Sequence, residues 1–201
     1  MPNVGVLISG RGTNLQALID AAAAGRLGGR IAVVISNVED APGLERARRA
    51  GIPACFRDHR GSPRERFDEQ LVALLREHAV ELVCLAGYMR LLSPVFIHAF
   101  AGPILNVHPS LLPAFPGLEA QRQAWEHGVK VSGATVHLVD ESLDAGPILL
   151  QEAVPVLPTD GVEELSARIL EAEHRVYPRA VRAMLEGRCR AEGRRVLVEE
   201  P

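Results

Sequence analysis

The fold is decided near the start of the chain by residues Val4–Asn14, which read VGVLISGRGTN. The apolar, β-branched run Val4–Ile8 predicts a buried strand, and the glycines after it mark a tight turn. A helical pattern follows at Leu15–Ala24. The segment is therefore a strand–turn–helix unit, which is the building block of a parallel sheet.

The same alternation continues through the first half of the chain. Further strands are expected at Ile31–Ile35, Ala54–Arg57, Glu81–Leu85 and Ile104–Val107. Further helices are expected at Gly43–Ala50, Arg64–His78 and Pro94–Phe100. Because mostly apolar strands that alternate with helices are covered on both faces, we predict an α/β fold. Its core is an open, mostly parallel, Rossmann-like sheet with helices on both faces.

The pattern changes in the second half of the chain. Residues Pro109–Gly117 contain three prolines and a glycine, which predict an irregular loop. The elements expected after this loop are a helix at Glu119–His127, strands at Val131–Val139 and Ile148–Val156, and a long helix at Val162–Leu185 that Gly187 ends. Too little chain separates the two strands for a crossover helix, so we expect an antiparallel C-terminal extension of the sheet.

Composition is that of an ordinary globular protein. The 201 residues are 47% hydrophobic and 23% charged, so we expect one domain over residues 1–201. A net charge of −3 argues against a nucleic-acid binder with a broad basic face. The three cysteines contain no C-x-x-C pair, which excludes a disulfide framework and a cysteine-rich zinc site. We see no secretory signal and no membrane-spanning stretch, and therefore expect a cytoplasmic protein.

The glycine turn, Gly10–Asn14, is the first candidate site. Glycines let the backbone approach a ligand, and the N–H groups at a helix start favour an anion. A dinucleotide fingerprint would require a third glycine where Leu15 stands, and no Walker A lysine follows the turn. A phosphate or sugar-phosphate site remains, with Thr13 and Asn14 as side-chain donors. The alternative is a tight turn that only caps a helix.

Two polar side chains at the end of a predicted strand form the second candidate site. Asn106 and His108 lie at i and i+2, so they point to the same face of the strand. Open α/β sheets bind their ligands at such strand ends. An amide donor and a titratable imidazole together suit a developing oxyanion. A lone histidine is more often a satisfied core group, but the amide partner and the loop that begins at Pro109 favour catalysis.

The residues around this pair resemble a known family signature. Asn106–Pro113, NVHPSLLP, followed by Phe115–Gly117, FPG, is similar to the signature of folate-dependent formyltransferases. The second pattern of that family follows at His137 and at Leu143–Ile148, LDAGPI. With the glycine turn, the resemblance covers essentially the whole chain. It implies an enzyme of purine synthesis in which the amine of 5'-phosphoribosylglycinamide attacks the formyl carbon of 10-formyltetrahydrofolate.

The resemblance also implies a role for each matching residue. Asn106 and His108 would stabilise the oxyanion, and Asp144 would pair with this histidine and favour its charged form. From its spacing alone, Asp144 is better interpreted as a turn residue than as a partner of the histidine. The implied substrate-binding residues are Gly12, Thr13, Asn14, Pro109, Leu170 and Glu173. The implied folate-binding residues are Arg64, Met89, Arg90, Leu91, Leu92, Asn106, Asp140, Glu141, Leu143 and Asp144.

The position of Glu173 can also be argued from the helix that carries it. The apolar stripe of the last predicted helix runs through Val162, Ile169, Val176, Ala180 and Met184. Glu173 falls within this stripe, and a carboxylate in an apolar face needs a partner. The resemblance supplies the ribose hydroxyls of the substrate, whereas the alternative partner is a neighbouring arginine.

The resemblance further implies two halves, a phosphate-binding one at residues 1–100 and a catalytic, folate-binding one at residues 101–201. It implies 10-formyltetrahydrofolate as co-substrate, no metal, no nucleic acid or membrane partner, and a monomer or homodimer. Three positions depart from the family pattern, namely Glu119 in place of histidine, Ala145 in place of glycine, and Leu170 where a polar residue is common.

Three rival functions remain on the sequence alone. Methionyl-tRNA formyltransferases and formyltetrahydrofolate hydrolases share the catalytic trio of Asn106, His108 and Asp144. The first carry an additional C-terminal domain, and the second carry an additional N-terminal one. We expect neither here, because the chain leaves no room for them. A non-catalytic phosphometabolite-binding protein would explain the glycine turn but not the trio.

Overall fold

The structure is a computed structural model that describes residues 1–100 and 103–199. The chain divides into two compact units, of which the first ends at Leu105 and the second begins at Asn106. Residue 101, where the expected catalytic half begins, lies outside the described residues. Among the helices in the described ranges, none is both long enough and apolar enough to cross a membrane.

The first unit alternates strands and helices as the sequence predicts. Its elements are β1 (Asn3–Ile8), α1 (Thr13–Ala23), β2 (Arg30–Ser36), α2 (Pro42–Arg49), β3 (Ala54–Phe56), α3 (Arg64–Glu77), β4 (Leu82–Leu85) and α4 (Pro94–Ala99). The strands lie in the order β3-β2-β1-β4, and their pairs are parallel. This order places the ends of β1 and β4 beside each other, where the chain leaves the sheet into two loops.

Apolar periodicity explains how these elements pack. The strands β1 and β4 are almost entirely buried, as expected for strands covered on both faces. In α3 the apolar residues Phe67, Leu71, Leu74 and Leu75 recur at helical spacing and are buried, so this helix packs by one face. The helix α1 begins at Thr13, two residues before the predicted start, because Gly12 serves as its N-cap.

The second unit has a different organisation. Its elements are β5 (Ile104–His108), which carries the chain into it, α5 (Ala120–Glu126), β6 (Val131–Leu138), β7 (Ile148–Pro155), α6 (Val162–Leu185), β8 (Cys189–Glu192) and β9 (Arg195–Val198). The strands lie in the order β5-β6-β7-β9-β8. The strands β6 and β7 pair antiparallel as predicted. The helix α6 has the predicted bounds, runs through Pro178 and packs on both of these strands.

The hairpin of β8 and β9 is a feature that the sequence analysis missed. These two strands pair antiparallel with each other, and β9 joins β7 in parallel at Ile148 and Arg195. Each strand has four residues, and β8 is mostly exposed. The strand β8 has no apolar run, and the apolar run of β9 has only three residues, which is too short to predict a strand.

Candidate active site

The second unit brings Asn106, His108 and Asp144 together. The first two lie on β5, and Asp144 comes from the loop between β6 and β7. His108 Nδ1 lies 3.4 Å from Asp144 Oδ2, and the two side chains are only 6% and 10% exposed. The same carboxylate oxygen accepts the backbone N–H of Gly117 at 2.8 Å. Asp144 is therefore held between the imidazole and the loop Pro109–Gly117, which we call the proline loop. These contacts make it more than a turn residue.

Both ring nitrogens of His108 face an oxygen atom. Its Nε2 lies 2.8 Å from the carbonyl oxygen of Phe115. A carbonyl oxygen only accepts hydrogen bonds, so Nε2 carries a proton. The other ring nitrogen, Nδ1, faces the carboxylate of Asp144. A histidine at this place can donate a hydrogen bond to a negative charge and can also transfer a proton.

His137 orients the amide of Asn106. His137 Nδ1 lies 2.9 Å from the carbonyl oxygen of Leu138 and donates to it. His137 Nε2, 3.2 Å from Asn106 Nδ2, then accepts an amide N–H. Burial lowers the pKa of His137, against the opposing effects of the Leu138 carbonyl and Asp144, and the neutral ring is the form that these bonds require. The second N–H of Asn106 is the one that can meet a ligand.

The two loops that form this site use left-handed backbone. Phe115, Gly117 and Asp144 have φ angles of +52°, +82° and +47°. Such angles are uncommon for residues other than glycine and cluster at functional sites. Ser110 Oγ donates to the carbonyl of Ala114 at 2.5 Å, and this hydrogen bond restrains the proline loop next to Phe115. The loop conformation thus aims a carbonyl at His108 and a backbone N–H at Asp144.

The glycine turn lies in the first unit, between β1 and α1. Gly12 has a φ of +71° and caps α1 without a side-chain hydrogen bond. A Cβ at this position would lie 2.6 Å from the Cα of Gly43, so glycine is required by conformation and by space. Thr13 and Asn14 are consequently the first residues of α1. The helix start has backbone N–H groups without helical partners, which is a suitable place for a phosphate.

The segment Met89–Leu92 follows β4 in the first unit and presents apolar side chains to solvent. Met89 and Leu91 are 67% and 58% exposed. The guanidinium carbon of Arg90 lies 5.3 Å from the centre of the Phe67 ring, within the range of a cation–π contact. Exposed apolar side chains beside a fixed cation are suited to a flat ligand with an anionic or carbonyl edge.

The remaining candidate residues differ in their exposure. Glu173 is 5% exposed on α6 between the buried residues Ile169 and Val176, which confirms its place within the apolar face. Leu92 is also buried. The half-buried candidates are Pro109, Leu170 and Asp140, and the exposed ones are Arg64, Glu141 and Leu143. No group of metal-ligating side chains is found within residues 1–100 and 103–199.

Two contacts of this site were missed by the sequence analysis. His137 was noticed only as part of the family pattern, although a polar residue in an apolar strand is a signal for a structural or catalytic role. The carbonyl of Ala145 accepts a hydrogen bond from Arg194 at 2.6 Å, so the unpredicted hairpin contacts the loop that carries Asp144. No local pattern in the sequence announces a contact between residues so far apart.

Comparison with known proteins adds to this geometry. The formyl transferase family pattern matches residues 2–181. Phosphoribosylglycinamide formyltransferase from Haemophilus influenzae is 47% identical over 191 residues, which cover 94% of this chain and 90% of that protein. The trifunctional purine biosynthetic protein adenosine-3 from Drosophila pseudoobscura pseudoobscura is 50% identical over 190 residues. That match covers 93% of this chain, which spans only 14% of the length of the trifunctional protein.

A solved structure shows the same fold. Glycinamide ribonucleotide transformylase 1 from Symbiobacterium toebii matches with a TM-score of 0.97 and 59% sequence identity. The match covers 100% of this chain and 95% of that one. The expected α/β class, with its open, mostly parallel sheet and antiparallel C-terminal strands, is thereby confirmed.

Proposed function

The chain belongs to the formyl transferase family, and from that premise we propose that it is a formyltransferase of de novo purine biosynthesis. It transfers the formyl group of 10-formyltetrahydrofolate to the amine of 5'-phosphoribosylglycinamide, giving formylglycinamide ribonucleotide and tetrahydrofolate. The observation that carries the proposal is the buried pair of His108 and Asp144, 3.4 Å apart, on the strand that also presents Asn106.

These three residues suit the chemistry of acyl transfer. The substrate amine attacks the formyl carbon, a new carbon–nitrogen bond forms, and the carbonyl oxygen becomes an oxyanion. The imidazolium of His108 and the amide N–H of Asn106 stabilise that charge. The intermediate then collapses with cleavage of the bond to N10 of the folate. Over the reaction the amine loses one proton and N10 gains one, and His108 is placed to move it while Asp144 stabilises its charged form.

The substrate-binding roles follow from the local structure of each segment. The glycine turn with Thr13 and Asn14 binds the phosphate at the start of α1. Glu173, a buried carboxylate on α6, binds the ribose hydroxyls, and Pro109 and Leu170 contact the same substrate. Their half-burial fits a contact through backbone and apolar atoms.

The folate has its own set of residues. Its pterin meets Met89–Leu92, Asn106 and the loop residues Asp140, Glu141, Leu143 and Asp144, while the exposed Arg64 faces its acidic tail. Asp140 is fixed in its loop because its carboxylate accepts the backbone N–H of Ser142 at 2.8 Å. We propose small-molecule partners only, a cytoplasmic location, and a monomer or homodimer. No metal is needed, since the imidazolium and the amide already supply the electrophilic groups.

The proposal is tested by assaying the purified chain with 10-formyltetrahydrofolate. Tetrahydrofolate should appear only when 5'-phosphoribosylglycinamide is present, in an equal amount to the formylated ribonucleotide, and a metal chelator should leave the rate unchanged. Release of formate at the same rate without the amine would show a hydrolase. Formylation of methionyl-tRNA in preference to the ribonucleotide would show a methionyl-tRNA formyltransferase.

A further inference from the structure

Ser9 stands between two candidate ligand segments of the first unit. It follows β1 and directly precedes the glycine turn. Its Oγ accepts the backbone N–H of Met89 at 2.9 Å. Its own backbone N–H donates to the carbonyl of Gly87 at 3.2 Å. Ser9 therefore bonds both ends of the turn Gly87–Met89, which leads into Arg90.

The direction of the Ser9 hydroxyl is fixed by Asn37. The hydroxyl donates to Asn37 Oδ1 at 2.6 Å, so its lone pairs are turned toward other donors such as the N–H of Met89. Asn37 is buried, and Nδ1 of His59 lies 3.1 Å from its backbone carbonyl and 3.4 Å from its side-chain Nδ2. The acceptor of the serine proton is thus itself held in the fold.

The start of the segment that Ser9 restrains has few packing contacts. Gly87 has a left-handed φ of +72°, and the Met89 and Leu91 side chains are mostly exposed, so they add little packing. Arg90 contacts the Phe67 ring and Leu92 is buried, so packing holds the later part of the segment, whereas its start at Met89 depends on hydrogen bonds for a defined conformation. The bonds from Ser9 provide them at the point where the segment leaves the sheet.

We infer that Ser9 is a positioning residue for the folate, although its neighbours in the sequence bind the phosphate. This inference rests on the proposed function, which assigns Met89–Leu92 to the folate and the glycine turn to the ribonucleotide. Loss of the hydroxyl releases the N–H of Met89 and loosens the folate segment. It leaves the glycine turn intact, because Gly12 caps α1 through its backbone alone.

The central experiment is steady-state kinetics of Ser9→Ala with each substrate varied in turn. A lost hydrogen bond is worth a factor of roughly 3 to 10, so KM for 10-formyltetrahydrofolate should rise by about that factor. KM for the ribonucleotide and kcat should stay within about twofold. A matched control is Ser166→Ala, which removes a half-buried hydroxyl that donates to the Val162 carbonyl within α6.

Two substitutions of Asn37 separate positioning from general packing. Asn37→Asp keeps an oxygen that accepts the serine proton, so its folate KM should match the unsubstituted enzyme. Asn37→Leu removes the acceptor at similar volume, so its folate KM should rise like that of Ser9→Ala. Equal folate constants for the two variants would overturn the inference, and so would a Ser9→Ala enzyme whose ribonucleotide KM rises as much as its folate KM.

A binding measurement keeps this test independent of turnover. Calorimetric titration with tetrahydrofolate should show weaker binding to Ser9→Ala than to the unsubstituted chain. If no formyl transfer occurs but this difference is found, the proposed function fails while the folate-positioning role stands. If the chain binds no tetrahydrofolate, or if both proteins bind it equally, the inference about Ser9 fails.

Discussion

Replacing Asp144 with asparagine removes the negative charge beside His108 and keeps the shape of the side chain. Asparagine adopts a left-handed φ as readily as aspartate, so the value of +47° at this position is tolerated. The amide oxygen can still accept the N–H of Gly117, which the carboxylate now holds at 2.8 Å. The variant should therefore fold, and its main loss is the attraction to the imidazolium.

The size of this loss follows from the burial of the pair. With side chains 6% and 10% exposed, His108 and Asp144 are shielded from solvent. Without the carboxylate the imidazole is a weaker donor to the oxyanion, and the loss of one such donor costs about 2.7–4 kcal/mol of transition-state stabilisation. Since about 1.4 kcal/mol corresponds to a factor of ten in rate, kcat of Asp144→Asn should fall by about 10²–10³. Both KM values should change little, because the lost interaction acts on the charge that develops during the reaction.

The assay is the release of tetrahydrofolate at saturating concentrations of both substrates. Asp58→Asn is the control, because it removes a carboxylate from an exposed pair with Arg60 and should leave kcat within about twofold. Thermal unfolding of each variant checks the fold. A kcat of Asp144→Asn within tenfold of the unsubstituted enzyme, at an unchanged Tm, would refute the charge pairing and leave Asp144 as a turn residue.

Three further outcomes are expected. Gly12→Ala should lower Tm more than Gly25→Ala. Both glycines have φ near +70°, but of the two only Gly12 would bring its new Cβ against the backbone of Gly43. Equal losses of Tm in the two variants would contradict this. Burial lowers the pKa of His137 from 6.5, so the unfolded chain takes up more protons there below about pH 6.5 and stability falls as pH drops. In denaturant titrations at several pH values His137→Gln should flatten that dependence, and an unchanged slope would oppose it. Glu173→Gln should raise KM for the ribonucleotide about tenfold and spare that for the folate, whereas equal rises would rule out a ribose contact.

Much of the fold was predictable because local patterns encode it. The helix α6 was predicted with its bounds, since its apolar stripe recurs at helical spacing over 24 residues. The burial of Glu173 followed from the same stripe. The hairpin of β8 and β9 was missed, because strands of only four residues are too short to carry a periodic pattern. That hairpin exists through its pairing with β7, which is a tertiary contact.

The catalytic site divides in the same way. The sequence by itself determined that Asn106 and His108 share one face at a strand end, because side chains in a strand alternate with a period of two. It also determined that Gly10–Asn14 is a turn at a helix start. Only the tertiary structure decided that Asp144, 36 residues after His108 in the chain, lies 3.4 Å from it. The path of a loop depends on what the rest of the chain packs against it, and periodicity carries no information about such contacts.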